Sequence, residues 1–370
     1  RLLINDPQQY DELDEQLTPM LKPFREFLRE LLPDNEEHEK FMDDSKRITF
    51  HEFKQLFSRQ FHNQEAKKYS PDLCWYVIRT YIKGYSLDGY LDLEQYDTVF
   101  QKDRIIPSED FEKISSMVWK WHSRYIEDNG LWDDQDLIRA VLDNGVDPSE
   151  DYTAIFCDEA QDFTKLELHF ILQSSVFSKF DLSNYNQAVS LPFAFAGDPL
   201  QTLNPTGFRW AKVQAMFHKE IIESVDPLGR LELRIKPLDD LVYNYRSTKP
   251  IVETTNAVLL LRNSLFDQDT KPQSHWGKGS VSFVPQKFIL EQIDLNVLKK
   301  SIQDTIILVP CDEGGEFAFI QNDPQLSQLF QDASEENRPR NVLSAIGAKG
   351  LEFQRVILYK FGEYCPQRIW

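Results

Sequence analysis

The feature that most restricts the fold of this sequence is a set of short apolar runs that end abruptly in polar or glycine-containing segments. They lie within TAIFCDE, LPFAFAGD, DTIILVPC and RVILYKFG, which begin at Thr153, Leu191, Asp304 and Arg355. Buried strands of a parallel sheet have this length and composition, and the helix-like stretches between the runs suit crossover connections. The chain from residue 151 onward is therefore predicted to be α/β with parallel strands.

The first 150 residues carry a helical pattern instead. Residues 1–44 are acidic and are predicted to form a solvated helical segment and linker, and residues 45–150 a helical subdomain. Apolar residues spaced by three and four indicate one helix face, namely Phe111, Ile114, Val118, Trp121 and Tyr125. This helix is expected to begin near Ser108 and to stop at Gly130. The stripe is interpreted as core rather than as a base-stacking platform.

The charge balance limits the kind of partner. The formal net charge is −19, with 19 Lys and Arg against 32 Asp and Glu in residues 1–150 and 22 against 28 in the rest. An acidic chain is a poor general binder of polyanions, because phosphate neutralisation dominates nucleic-acid affinity. Any nucleic-acid site is therefore expected to be a local basic and aromatic patch, and the acidic N-terminal region suits protein partners.

The sequence also bears on location. No apolar run approaches the roughly 20 residues of a membrane span, and the start of the chain lacks the layout of a signal peptide. The four cysteines are far apart and form no zinc-binding pattern, namely Cys74, Cys157, Cys311 and Cys365. We therefore expect an intracellular protein, in cytoplasm or nucleus, without membrane contact. Because the first residue is Arg1, we also expect a piece of a longer chain.

The first motif is AIFCDEAQD. Asp158 follows a predicted strand, where a carboxylate can bind Mg²⁺ directly or through water. Glu159 can polarise an attacking water, and Gln161 can report the state of a γ-phosphate. The alternative is that the adjacent acids only cap the helix that follows.

The second motif is FAFAGDPLQTLNPTGFRW. Gly197 permits a tight turn beside Asp198, where a nucleotide can approach, and the amide of Gln201 can bond a phosphate or its water. Two aromatic rings and a guanidinium follow, those of Phe208, Arg209 and Trp210. These residue types hold single-stranded bases. Ordinary loop packing is the alternative for both rings.

The third and fourth motifs are LVYNYRSTKP and SAIGAKGLEF. Arg246 can neutralise charge on a transferring phosphoryl group, although a surface ion pair is the simpler interpretation of a single arginine. Lys349 and the backbone at Gly350 can contact phosphates of a nucleotide or a nucleic acid. Glu352 can accept a hydrogen bond from a ribose hydroxyl.

Taken in order, DEAQD, GDPLQT, NYRS and AKGLEF resemble the motor core of superfamily 1 helicases of the UvrD/Rep/PcrA type. WDDQDL and SPDLCWYVIRTYIKG are similar to that family as well, so the resemblance covers roughly residues 45–370. It implies two RecA-like lobes of the P-loop NTPase type with a helical subdomain inserted in an incomplete first lobe. Residues 151–237 then belong to the first lobe and residues 238–370 to the second, which lacks a large insert.

The resemblance also implies an activity, ATP-dependent translocation on single-stranded DNA or RNA, with hydrolysis between the lobes and with ATP and Mg²⁺ as cofactors. It makes Asp158 the Mg²⁺ ligand and Glu159 the catalytic base. The other implied roles are γ-phosphate sensing by Gln161 and Gln201, an arginine finger at Arg246, strand contact at Phe208 and Arg209, and nucleotide-sugar contact at Glu352.

The sequence departs from the family at three points. No GxxxxGK[ST] occurs, and the resemblance implies that this loop precedes Arg1 and that the final arginine-bearing motif follows Trp370. We therefore expect the isolated chain to bind ATP weakly or not at all. Ile346 and Gly347 stand where a histidine is common, and the distance from Arg246 to Lys349 leaves no room for the large second-lobe insert.

Two rival functions remain open. One is a helicase-like scaffold that binds proteins or nucleic acid without turnover, which the acidic balance favours. The other is a metal-dependent nuclease that uses the same acids. It is disfavoured, because the further carboxylates and lysine that it needs are not found around Asp158.

Overall fold

The computed structural model describes most of the chain. The described residues are 23–61, 68–144, 152–179, 181–182, 191–198, 201–202, 206–231, 233, 241–266, 271–276, 299, 302, 305–334, 337–361 and 363. They divide into two compact units. Unit 1 is Arg1–Leu233 with Asp312–Gly314, and unit 2 is Arg234–Cys311 with Gly315–Trp370.

Unit 1 is helical as far as residue 144. Its helices there are α1 (Phe24–Leu31), α2 (Phe50–Gln60), α3 (Pro71–Tyr76), α4 (Leu93–Thr98), α5 (Ser108–Lys113), α6 (Lys120–Asn129) and α7 (Asp134–Asp143). Wider π-helical turns follow α3 and α5, over Val77–Lys83 and Ile114–Trp119. Short 3₁₀ turns lie at Glu39–Met42, Asp44–Lys46 and Gln101–Asp103. The predicted helical character of this region is confirmed.

The expectation that residues 1–44 form a solvated linker is wrong for the part that the structure describes; residues 1–22 lie outside it. Leu28 on α1 is 2% exposed and Phe41 is 3% exposed. Both pack in one core cluster with Trp132 and Phe170. The reason is amphipathicity, because FREFLREL carries its apolar residues on one helix face while the charged ones share the other.

The helix predicted from Ser108 to Gly130 is confirmed, but its buried face shifts. Phe111, Ile114 and Val118 are buried as predicted, and the buried residues farther along are His122 and Ile126 rather than Trp121 and Tyr125. A π-helical turn spans Ile114–Trp119, and its wider hydrogen bonds advance the face by about one residue. Gly130 ends the helix in the left-handed conformation, with φ of 62°.

The rest of unit 1 contains two parallel strands and their flanking helices. The strands are β1 (Ile155–Cys157) and β2 (Phe193–Phe195), paired parallel with Phe156 opposite Ala194. The helical elements are 3₁₀ turns at Ala160–Asp162 and Val176–Ser178, α8 (Lys165–Gln173), α9 (Trp210–Phe217) with a π-helical turn over His218–Ile222, and α10 (Glu223–Val225). Leu172, Ile221 and Val225 form a core cluster against the apolar side chains of β2.

Unit 2 contains two small parallel sheets. The strands β3 (Tyr243–Asn244) and β4 (Ser274–His275) pair parallel beside α11 (Lys249–Phe266). The strands β5 (Ile306–Val309), β6 (Val342–Ser344) and β7 (Val356–Leu358) form a parallel sheet in the order β6-β5-β7. The helices α12 (Glu316–Asn322) and α13 (Pro324–Leu329) complete the unit, and their apolar faces pack on β5 and β6.

The structure confirms a mixed helical and parallel-strand chain, and all four apolar runs contain strands. The identification of the units as RecA-like lobes stays a prediction, as do the four domain boundaries. Among the described helices, none combines the length and the hydropathy needed to cross a membrane.

Candidate functional site

The first two motifs meet at the carboxyl ends of β1 and β2. The backbone N–H of Ala196 donates to the carbonyl of Cys157 at 2.8 Å, and the N–H of Ala160 donates to the carbonyl of Ala196 at 2.8 Å. The DEAQD and GDPLQ segments therefore run side by side just beyond the strand ends. In open parallel sheets, ligands bind at this edge.

Gln161 joins the two segments. Its side chain is fully buried, at 0% exposure. Its Oε1 accepts a hydrogen bond from the backbone N–H of Asp198 at 2.9 Å, and its Nε2 donates to the carboxylate of Glu159. Its backbone carbonyl accepts from the hydroxyl of Thr206 at 2.7 Å. Gln161 thus fixes the catalytic candidate Glu159 relative to the GDPLQ loop, and its role as a γ-phosphate sensor stays a prediction.

Gly197 allows this close approach. A Cβ added to Gly197 would lie 2.5 Å from Oε1 of Gln161 and 3.2 Å from the backbone nitrogens of Ala160 and Gln161. Any side chain at this position would push against the amide that joins the two segments. The glycine is therefore required for packing, apart from any contact with a nucleotide.

Glu159 has an unusual backbone conformation. Its φ of 53° and ψ of 39° lie in the left-handed region, which costs a non-glycine residue free energy and which clusters at functional sites. The strand ends at Cys157, so the left-handed residue turns the chain sharply into the 3₁₀ turn Ala160–Asp162. This position differs from a simple helix cap, since α8 begins later and is capped by Thr164.

The exposed residue Asp158 can hold a magnesium ion. Its Oδ1 accepts the N–H of Glu159 at 2.9 Å. Among the described residues, no group of three or more His, Cys, Asp or Glu has the geometry of a protein-built metal site. Mg²⁺ at phosphate sites is commonly bound through one or two carboxylates, with water and phosphate oxygens as its other ligands. One exposed carboxylate at a strand end fits that donor set.

Gln201 lies on the rim of the same site. It is exposed, and its Nε2 donates to Oδ2 of Asp198 at 3.0 Å. The structure therefore brings together Asp158, Glu159, Gln161, Gly197, Asp198 and Gln201, all predicted from the sequence.

The helical part of unit 1 supports this site through polar contacts that the sequence did not reveal. Arg79 lies 3.6 Å from Glu167 as an ion pair and donates to the carbonyl of Asp162 at 3.4 Å. The hydroxyl of Thr164 donates to Oε1 of Gln135 at 3.0 Å. Partners separated by about 30 to 90 positions in the sequence give no local signal, and only the π-helical turn brings Arg79 to this place.

A buried charge cluster lies beside these contacts. Lys83 is 1% exposed and its Nζ lies 2.7 Å from carboxylate oxygens of both Asp133 and Asp136. Burial and the neighbouring Asp133 raise the pKa of Asp136 to about 6, although Lys83 acts in the opposite direction. Burial opposes the charged form of Asp133, but Lys83 holds its pKa below the ordinary value. The acids of WDDQDL therefore anchor α7 to the π-helical turn.

The predicted stretch of nucleic-acid contacts lies at the start of α9. The rings of Phe208 and Trp210 meet edge to face, with centroids 5.0 Å apart. The guanidinium of Arg209 pairs with Asp103 at 2.8 Å. Both rings are partly exposed and Arg209 is exposed. The packing alternative for the rings and the binding role remain compatible with this geometry.

The predicted residues of unit 2 form their own group. Arg246 Nε pairs with Oε1 of Glu352 at 2.6 Å, and both side chains are exposed. The ion pair that was the simpler interpretation of Arg246 is thus present, and at this exposure such a pair contributes little stability. Lys349 and Gly350 lie in the turn that follows β6, where Gly350 has φ of 76°. The structure does not assign this group to the site in unit 1.

Comparison with known proteins gives a distant relationship. No protein-family model matches the chain. The chain is similar to a human protein named TPR and ankyrin repeat-containing protein 1, with 24% identity over 333 residues, which is 85% of this chain and 10% of that protein. The chain thus spans about a tenth of the length of the curated relative.

Proposed function

We propose that this chain is part of an ATP-dependent translocase or helicase for single-stranded nucleic acid, of the superfamily 1 type that the motifs resemble. The observation that carries the proposal is the junction at Gln161, where DEAQD and GDPLQ lie on adjacent parallel strand ends. Two motifs about 40 residues apart converge on one edge of a sheet, as an ATPase site requires.

The chemistry follows from the acids at this edge. Glu159, held by the amide of Gln161, is the base that orients and deprotonates the attacking water. Asp158 is the residue that would hold Mg²⁺, which when bound neutralises charge on phosphate oxygens. Gln201 and Asp198, hydrogen-bonded to each other, line the side from which a γ-phosphate would be sensed.

The proposal includes two RecA-like lobes. The parallel pair β1–β2 of unit 1 and the parallel sheet β6-β5-β7 of unit 2 support it, because each sits among helices with polar motif residues after its strands. Arg246 is proposed as the arginine finger and Glu352 as the contact for the nucleotide sugar. Because these two residues pair with each other here, their engagement by a nucleotide requires that the ion pair open.

The test is steady-state ATP hydrolysis by the full-length protein, with and without single-stranded DNA. Glu159→Gln is expected to lower the rate by about a hundredfold or more, since it removes the general base. Glu363→Gln, an exposed acid in unit 2, is the charge-matched control and is expected to leave the rate unchanged. Turnover that Glu159→Gln does not reduce would contradict the proposed site.

A second candidate is a helicase-like scaffold that binds partners without turnover. The net charge of −19 favours it, and so does the name of the human relative, which refers to repeats and not to catalysis. The same hydrolysis experiment separates the two candidates. A well-folded full-length protein without any turnover would support the scaffold and overturn the motor.

A further inference from the structure

A cleft in unit 1 combines cations with aromatic rings. It lies between the π-helical turn of the helical part, the segment after DEAQD and the first turn of α9. Its lining includes Tyr85, Phe163, Lys165, Phe208, Arg209 and Lys212. Four of these residues were not singled out in the sequence, namely Tyr85, Phe163, Lys165 and Lys212.

The wall of the cleft is joined to the candidate ATPase site. Gly207 has φ of 65°, and a Cβ there would lie 2.8 Å from Cγ2 of Thr80 on the π-helical turn. The preceding residue, Thr206, is fixed by its hydroxyl to the backbone carbonyl of Gln161 at 2.7 Å. The loop that carries Phe208 is therefore held both by the helical part and by the DEAQD segment.

The cations of the cleft are incompletely compensated. Burial lowers the pKa of Lys165, and the nearby Lys212 and Lys219 lower it further, against a smaller opposing effect of Glu220. Burial also lowers the pKa of Lys212, with Asp103 opposing and Arg209 adding to the shift. Asp103 is 2.8 Å from Arg209 but 3.9 Å from Lys212. An anion placed between the lysines would relieve this repulsion.

The rings offer flat surfaces beside these cations. Lys165 Nζ lies 3.8 Å from the ring centroid of Tyr85, a cation–π contact that orders both side chains. Tyr85, Phe163 and Phe208 are all partly exposed. A ligand that carries both phosphates and planar bases matches this mixture, whereas an acidic peptide would leave the aromatic faces unused.

We propose that this cleft binds single-stranded nucleic acid, with backbone phosphate at Lys165 and Lys212 and a base against Tyr85 or Phe208. The inference rests on the proposed function, for which it names the track-binding surface and residues from the helical part. Since the unit as a whole is acidic, the cleft acts as a local binding site within a repelling surface.

The test uses the 370-residue chain and fluorescence anisotropy with a labelled oligothymidylate of about 20 nucleotides, and with oligouridylate of the same length to separate DNA from RNA. The double variant K165Q/K212Q is expected to bind about 25-fold more weakly near 0.1 M salt. The slope of log Kd against log salt should fall by about 1.4, because each single-strand phosphate contact contributes about 0.7.

Two further variants make the result specific. K113Q/K120Q removes two exposed lysines elsewhere in unit 1 and is expected to change neither affinity nor slope. K165R/K212R keeps both charges and is expected to restore binding if K165Q/K212Q loses it through charge rather than misfolding.

The outcomes separate this inference from the proposed function. Equal binding by the chain and K165Q/K212Q overturns the cleft but leaves the motor standing. Loss of binding that K165R/K212R does not restore also overturns the cleft. If the unchanged chain binds neither oligonucleotide, both the cleft and the single-strand track of the proposed function are overturned. Tighter binding of an acidic peptide of equal charge than of the oligonucleotides would instead make the cleft a protein-docking surface.

Discussion

At the residue scale, the candidate base occupies a strained position. Glu159 is one of two described non-glycine residues with positive φ, and its carboxylate is held by Gln161. Strain of this kind persists only where the surroundings enforce it, here through the hydrogen bonds of Ala160 and Gln161 to the neighbouring segment. The conformation is thus a property of the site and not of local sequence preference.

We predict that Glu159→Gly is more stable than Glu159→Ala by about 1 kcal/mol, because glycine adopts the left-handed conformation without steric cost. Both variants lose the same carboxylate, so the comparison isolates the backbone. Denaturant unfolding of the two variants measures the difference. An alanine variant that equals or exceeds the glycine variant in stability would show that Glu159 is not held in this conformation.

We also predict that Gly197→Ala lowers the free energy of unfolding by about 1 to 3 kcal/mol, the cost of a buried hydrogen-bonding group that loses its partner. The added Cβ displaces Oε1 of Gln161 from the N–H of Asp198. A double-mutant cycle with Gln161→Ala is the control. The two substitutions should be strongly non-additive, and additive effects would contradict the clash.

At the scale of elements, the helical part of unit 1 is fastened by buried charge. Lys83 lies on the π-helical turn, and Asp133 and Asp136 lie at the start of α7, where they also form its capping box. Removing one partner from such a cluster leaves charge buried without compensation. The cluster therefore makes the packing of these two elements sensitive to single substitutions.

Lys83→Met is expected to destabilise the chain by about 3 to 5 kcal/mol, as for a broken buried ion pair. Lys120→Met, at an exposed lysine of α6, should change stability by no more than about 0.5 kcal/mol. Addition of Asp136→Asn to Lys83→Met should recover part of the loss. Thermal unfolding of the four proteins tests this, and similar losses for the two lysine variants would contradict it.

His122 gives a pH dependence with a defined sign. It is fully buried among aromatic rings, and neither ring nitrogen has a hydrogen-bond partner among the described residues. Burial, with the nearby Lys83, lowers its pKa from 6.5 to about 3. The unfolded chain therefore binds a proton below pH 6.5 that the folded chain refuses until about pH 3, so stability is lost as the pH falls through this range.

His122→Leu is expected to remove this loss. Between pH 7 and pH 5 the unchanged chain should lose about 2 kcal/mol more stability than the variant. Asp136, whose raised pKa acts with the opposite sign, is present in both proteins and cancels in the comparison. Denaturant midpoints at the two pH values supply the measurement, and parallel pH profiles would refute the assignment.

Sequence patterns predicted the elements better than their contacts. The strands before Asp158 and Gly197 are local apolar runs, and the helix from Ser108 to Gly130 has a local period, so each was predictable. The shift of its buried face to His122 was not, since no residue pattern marks a π-helical turn. The burial of Gln161 and the partners of Lys83 depend on contacts between distant segments, which periodicity does not encode.

At the scale of the whole molecule, the charge of the chain and the cleft act in opposite directions. A body with a net charge of −19 repels nucleic acid, and the proposed track must then be held at a few cations such as Lys165 and Lys212. Affinity should therefore depend on few phosphate contacts and remain modest. A motor that releases and rebinds its track at each step is compatible with such binding.

The most direct test of the central claim is the time that the full-length protein takes to reach a fluorophore at one end of single-stranded DNA after ATP is added. For an ATP-driven translocase, the lag before the signal lengthens in proportion to the length of the strand. Glu159→Gln should abolish the signal without preventing binding. A lag that does not depend on strand length, or one unchanged in Glu159→Gln, would contradict the account.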